Sequence, residues 1–202
     1  MASDAVSLIM DDHRMMESLF AQVQSGKGDR TALVEEIAAR LTAHANAEEQ
    51  KVYPALSKAK PSESDEVEHG YHEHDEAEEL LQKAIRNLDS PQFEQMFTEF
   101  VDAVTHHVEE EESEILPALR DAVDTATLEQ LGTAFTEVRL RELREAGFDD
   151  TGSAYAAAYE KGRSDLADAT RDELYEMAKE ADIPGRSTMK KDELADALRE
   201  QD

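Results

Sequence analysis

Across the first 120 residues, apolar side chains recur by alternating steps of three and four, the spacing that lines one face of an α-helix. Four such stripes stand out. They are Val6, Ile9, His13, Met16, Phe20, Val23; then Val34, Ile37, Leu41, His44, Glu48, Val52; then His74, Glu78, Leu81, Ile85, Leu88; and last Phe93, Phe97, Phe100, Val104, His107, Glu111, Ile115. Short connections between such helices favour antiparallel neighbours, so the expected fold is all-α, an up-down antiparallel four-helix bundle. The first helix runs from Ser3, as cap, to Gln24, where "SGKGD" stops it. The second starts near Asp29 or Thr31 and ends at Pro54 or just past it. "SKAKPSESDE" (57–66) reads as a linker, and the third helix covers 68–88. Ser90 caps the fourth helix, Pro91 takes its first position, and it reaches Ala122.

The resulting division is a bundle over 1–122, an additional packing helix over 123–146, a linker over 147–163 and a small unit over 164–202. Hydrophobic residues make up 40% of the chain, enough for a folded core, and Ala, Leu, Glu and Asp favour helices. With 21 Lys plus Arg against 48 Asp plus Glu, the formal charge is -27. Such a surface repels nucleic acid and anionic membranes and attracts cations. There is no Cys, which excludes thiolate metal sites and thiol chemistry. The first residues lack a basic segment followed by an apolar run, so a cytoplasmic protein is expected.

Each of the four stripes carries one histidine where a bundle needs an apolar residue, and the second and fourth add Glu48 and Glu111 one turn further on. The spacing His-x3-Glu means nothing by itself, because all seven histidines have Glu four residues later. Position on the stripe separates His13, His44, His74 and His107 from His69, His72 and His106. A single core histidine is usually just hydrogen-bonded. Four of them at matching depths, with two buried carboxylates, are costly unless a cation compensates them. The pattern therefore predicts a metal site.

The spacing is also duplicated. "HANAEEQKVYPAL" (44–56) and "HVEEEESEILPAL" (107–119) lie 63 residues apart, and His13 and His74 lie 61 apart. Residues 3–56 and 64–119 read as two copies of one helical hairpin, each bringing a half-site to the bundle centre, and two half-sites suggest two metals. Imidazole and carboxylate without thiolate suit Fe, Mn or Zn. Six protein ligands leave open positions, which implies a small molecule such as dioxygen, nitric oxide or peroxide. No Ser, Lys or Arg constellation accompanies the site to handle a substrate, which disfavours hydrolysis, and no catalytic side chain is assigned.

The stretches "DDHRMMESLF", "HANAEEQKVYPAL", "HEHDEAEELL" and "HHVEEEESEILPAL" resemble, in order over about residues 3–120, the hemerythrin-like (HHE cation-binding) domain family. The resemblance implies two non-haem iron ions, oxo-bridged, with manganese or zinc ranking behind iron. His13, His44, His74 and His107 become terminal ligands, and Glu48 and Glu111 bridging carboxylates. Oxygen-carrying members pair two histidines a turn apart on the third helix, whereas Gly70 and Glu78 flank His74 here. That departure speaks against reversible oxygen carriage. It leaves redox sensing, nitric oxide or peroxide chemistry (including catalase-like disproportionation) and iron handling open. Glu17 and Glu78 are candidates for extra ligands or acceptors of imidazole N–H groups, and Tyr53 lies close enough to the stripe to be considered.

Residues 170–200 read as helix, tight turn, helix, with a capping box of Thr170 and Glu173 and a miniature core of Leu174, Ala178, Ile183, Met189, Leu194 and Leu198. This segment resembles the N-terminal module of the transcription terminator Rho. Arg186, Lys190 and Lys191 are its candidate phosphate contacts. Residues 164–202 nevertheless hold 12 acidic and 6 basic residues, a net charge of -6, which favours a protein partner over nucleic acid.

Overall fold

The computed structural model describes residues 4–148, 150, 170–180, 183, 186 and 189–199, and among them every regular element is helical. Helix α1 spans Ala5–Gln24, α2 Arg30–Ala47, α3 Tyr53–Ala59, α4 Ser64–Ile85, α5 Phe93–Glu110, α6 Leu116–Ala122 and α7 Thr125–Glu145. None of the described helices is long and apolar enough to cross a membrane. α1 pairs with α2 and α5, and α4 with α2 and α5, which makes the expected four-helix bundle. The additional helix α7 packs across the outside of α1 and α2.

Several boundaries differ from the sequence expectation. Asp4, not Ser3, caps α1, its side chain accepting the backbone N–H of Ser7 at 2.9 Å. Ser3 itself lies outside the described residues. Gly26, at φ 64°, supplies the left-handed turn that ends α1. The linker expected at 57–66 is mostly helical: α3 runs to Ala59, one 3-10 turn covers Pro61–Glu63, and α4 starts at Ser64. Ser90 and Pro91 sit in the turn before α5, which starts at Phe93 without a side-chain cap. The buried stripe of α4 is Val67, Gly70, His74, Ala77, Leu81 and Ala84, so Ala77 faces inward and Glu78 outward.

Pro54 and Pro117 do not end their helices. A proline inside a helix lacks the N–H that would bond the carbonyl four residues back, and its ring collides with that carbonyl. The chain adapts by widening: Glu48–Val52 and Glu111–Ile115 are π-helical, with the N–H of Tyr53 bonding the carbonyl of Glu48 and that of Leu116 the carbonyl of Glu111. α2 and α3 thus form one re-phased rod, as do α5 and α6. The two widened segments lie at equivalent points of the two repeats, and each opens on a stripe glutamate.

The bundle interior has two apolar clusters. One gathers Val6, Ile9, Val52, Tyr53, Leu56, Leu119, Phe135 and Val138. The other gathers Met16, Phe20, Ile37, Leu81, Phe93, Phe97, Phe100 and Val104. α1 links them, and His13 lies on it between Ile9 and Met16.

α7 carries a charge into this packing. Arg139 is fully buried and grips Asp12 of α1 with two hydrogen bonds, Nε to Oδ2 at 2.6 Å and Nη2 to Oδ1 at 2.7 Å. Its Nη1 reaches Asp150 at 2.7 Å. Of the proposed linker 147–163, only Gly147, Phe148 and Asp150 are described.

Beyond it, α8 (Arg171–Glu180) and α9 (Lys191–Arg199) bury Leu174, Ala178, Ile183, Leu194 and Leu198 together, with Met189 against them. These are the residues expected for the miniature core. The side chain of Glu173 lies outside the described residues.

Removing one partner of a buried ion pair strands the other charge, at a cost of about 3–5 kcal/mol. Arg139→Met should lower stability by that amount in chelator-treated protein. Adding Asp12→Leu should recover a large part of it, as read by chemical unfolding of both variants. A single variant within about 1 kcal/mol of the parent would contradict the lock.

Candidate metal centre

The four stripe histidines and the two stripe glutamates are all buried and meet in the bundle interior. Their inward atoms lie within a few ångströms of one another. His13 Nε2 is 3.3 Å from Glu111 Oε2, His44 Nε2 is 3.2 Å from Glu48 Oε2, and His74 Nε2 is 3.3 Å from that same Glu48 oxygen. His74 Nε2 and His107 Nε2 are 3.1 Å apart. Two overlapping groups each bring one ligand atom per residue within 4.8 Å of the others: His13, His44, Glu48, Glu111, and Glu48, His74, His107. Glu48 belongs to both.

The outward nitrogen of each ring is held by a carboxylate from a neighbouring helix. His13 Nδ1 lies 2.9 Å from Glu112 and His44 Nδ1 3.2 Å from Asp12. His74 Nδ1 lies 2.9 Å from Glu49 and His107 Nδ1 2.9 Å from Glu73. The order closes on itself: α1 leans on the α5 rod, α5 on α4, α4 on the α2 rod and α2 on α1. The duplication extends to these acids. Asp12 and Glu73 each directly precede a stripe histidine, while Glu49 and Glu112 each directly follow a stripe glutamate.

A carboxylate only accepts, so each Nδ1 carries the hydrogen and each Nε2 turns a lone pair inward. Those lone pairs face carboxylate oxygens or one another. Among the buried atoms without a hydrogen-bond partner are His13 Nε2, His44 Nε2, both oxygens of Glu48 and Glu111 Oε2. Packed this way, the groups repel unless protons or cations lie among them.

Without metal, protons must serve. Burial pushes the Glu48 carboxyl well above the ordinary range, and the charge of Glu111 adds to this. Burial would lower His13, yet the Glu111 carboxylate 3.3 Å from its Nε2, with the charge of Glu48, raises it to about 9. Burial takes His44 down to about 4, against the pull of Asp12. Glu111, despite burial, is held below the usual carboxylate range by His13 and the other imidazoles. Asp12 is likewise held low against burial, chiefly by Arg139. Metal ions suit this donor set, since neutral imidazoles and carboxylates without thiolate are ligands for Fe, Mn or Zn.

Tyr53 is buried and donates its hydroxyl to Glu111 Oε1 at 3.1 Å, its ring stacked on His74 at 5.7 Å. Gly70 makes this possible, because a Cβ there would stand 2.9 Å from the tyrosine hydroxyl. Glu17 and Glu78 do not take the role expected of them. Glu17 is about half exposed and pairs with Arg14, and Glu78 is exposed. The expectation looked one turn along the same helix, whereas the Nδ1 atoms face the adjacent helix. The acids that hold the rings are Asp12, Glu49, Glu73 and Glu112. At the other end of the chain, Arg186 donates to the carbonyl of Ile183 at 2.8 Å, while Lys190 is exposed and Lys191 half-buried.

Fold and buried His/Glu cluster together define a metal-binding helical-bundle protein of hemerythrin type. The family model for the Hemerythrin HHE cation binding domain matches residues 4–119, and the chain belongs to that family. Residues 165–201 match the model of the Rho termination factor N-terminal domain. A crystal structure of a hemerythrin HHE cation binding domain-containing protein from Mycobacterium kansasii is similar, with a TM-score of 0.59 at 22% identity, covering 77% of this chain and 98% of that one. A curated relative from Nostoc sp. strain PCC 7120, described as a DNA nickase, is 32% identical over 151 residues. The match takes in 72% of this chain and 42% of the relative, so the chain spans less than half of that protein's length.

The raised values of His13 and Glu48 set a pH dependence. A folded pKa of about 9 against 6.5 for a free imidazole gives stability that is complete below pH 6.5 and lost as pH climbs through 9. Glu48, also raised, changes stability in the same direction. The chelator-treated protein should therefore lose roughly 3–8 °C of melting temperature between pH 6.5 and 9, and metal should reverse most of that. Equal melting temperatures across that range would contradict it.

Proposed function

We propose that the chain is a non-haem di-iron protein that binds or senses a small ligand: dioxygen, nitric oxide or peroxide. The observation that carries this reading is the convergence of four imidazole lone pairs on two buried carboxylates that lack enough protons to go round. His13 and His44 would hold one ion, His74 and His107 the other, with Glu48 shared between them and Glu111 beside the first. Bound there, iron supplies reversible one-electron redox change and open positions for a small molecule. The protein's own part is to orient the rings through Asp12, Glu49, Glu73 and Glu112, and to keep water scarce.

Access supports the choice of ligand. A cavity of about 10 Å³ lies beside His13, lined by Met16, Glu17, Phe20, Val104, Thr105 and Val108. It has room for about one water-sized molecule, which suits a diatomic ligand. Tyr53 offers a hydroxyl close to the site, and its hydrogen bond steadies Glu111.

The name of the Nostoc relative and the match to the Rho module raise nucleic acid as a partner. The net charge of -6 over 164–202 opposes a phosphate backbone. Arg186 also spends an N–H on its own turn. The C-terminal unit is therefore read as a protein-docking module that passes on the state of the metal centre.

Freshly purified protein should contain about two irons per chain and show an oxo-to-iron absorption band in the near ultraviolet. His44→Ala and His107→Ala should each lose the band and at least half of the iron, and nitric oxide should change the parent spectrum. Protein that holds only zinc, or that retains no metal after reconstitution, would overturn the reading. Oxygen evolution from peroxide that depends on His107 would move it from sensor to enzyme.

A further inference from the structure

Two histidines off the buried stripes, His69 on α4 and His106 on α5, each have a glutamate one turn on, and the fold sets these two pairs against each other. His69 Nε2 lies 3.6 Å from Glu73 Oε1 on its own helix and 3.3 Å from Glu110 Oε2 on the neighbouring one. His106 Nε2 lies 3.3 Å from the other oxygen, Glu110 Oε1. One donor atom from each of His69, Glu73 and Glu110 falls within 4.8 Å of the other two. Ordinary surface pairs at this spacing stay on one helix. Here one imidazole meets carboxylates from two rods.

The distances have a chemical meaning. Two ligands held ~2.1 Å from one ion at a tetrahedral angle are about 3.4 Å apart, and the observed separations bracket that value. Histidine with two carboxylates suits borderline divalent ions, and both halves of the cluster stand on regular helix, which limits drift. The ion pairs of Glu73 and Glu110 are with histidines alone, so no Lys or Arg among the described residues already neutralises them. Glu73 is only 12% exposed, and its second oxygen accepts the Nδ1–H of His107 at 2.9 Å.

We propose that His69, Glu73 and Glu110, with His106 against the free oxygen of Glu110, form an outer binding site for a divalent cation such as Zn2+, Mn2+ or Fe2+, separate from the buried centre. One carboxylate, Glu73, then stands between the outer ion and the ring of His107. The outer site does not depend on the identity of the buried metal, nor on whether the buried cluster holds one.

The test is a difference measurement on the full-length protein. The parent and a His69→Ala/His106→Ala variant are dialysed against free Zn2+ raised through the micromolar range, and bound zinc is counted. His69 and His106 are mostly exposed, so the variant should fold, with an unchanged melting temperature in chelator. The parent should bind one more ion per chain than the variant, and Glu110→Gln, which keeps the side-chain volume, should lose that same ion. Equal zinc in parent and both variants overturns the proposal. A parent that keeps no tightly held buried metal, yet still exceeds the variants by one ion, upholds the outer site while removing the reading of the buried one.

Discussion

Everything in this bundle answers to one electrostatic problem: two carboxylates and four imidazole lone pairs share a buried interior. Glu48 and Glu111 are fully buried, and their inward oxygens lie 3.2–3.3 Å from ring nitrogens. In an apolar core such an arrangement carries a penalty of several kcal/mol per unpaired charge. The chain holds it by bonding every ring from behind. Because each of the four carboxylates comes from a different rod than the ring it holds, closing the ring of hydrogen bonds also ties the four rods together. Site geometry and helix packing are one set of contacts.

The duplication explains why the parts match. Asp12 and Glu73, Glu49 and Glu112, His44 and His107, Pro54 and Pro117 occupy equivalent places in the two hairpins, as do the π-helical turns that open at Glu48 and Glu111. Departures from that symmetry are where the halves acquire different work. Leu116 stands at the position in the second repeat that Tyr53 holds in the first, and only the tyrosine has a hydroxyl to give Glu111. Asp12 is locked by Arg139 from α7, while Glu73 turns its other oxygen to the α4/α5 surface. The first half-site is thereby tied to the helix leading toward the C-terminal unit, and the second to solvent.

Much of this was legible in the sequence, for a physical reason. A polar side chain in an apolar stripe is a local signal, so His13, His44, His74, His107, Glu48 and Glu111 can be picked out one helix at a time. Partners on other helices cannot. The one-turn rule within a helix singles out Glu17 and Glu78, which are exposed, and not the acids behind the rings. Their signal was nonetheless present, as an acid directly before or after the key residue in both copies. Arg139 was readable as a charge on the stripe of Phe135 and Leu143, though nothing local says that Asp12 awaits it. Pro54 looked like a stop because the rule forbidding proline assumes α-helical register, and a π-turn escapes it.

The central claim is that ring nitrogens and carboxylates from all four rods grip a pair of ions. Anomalous diffraction from crystals of the metal-loaded protein at the iron edge tests this most directly. Two peaks about 3–4 Å apart, flanked by the Nε2 atoms of His13 and His44 on one side and of His74 and His107 on the other, with Glu48 reaching both, is the expected map. A lone peak at the surface, or rings turned to present Nδ1 to the interior, would contradict it.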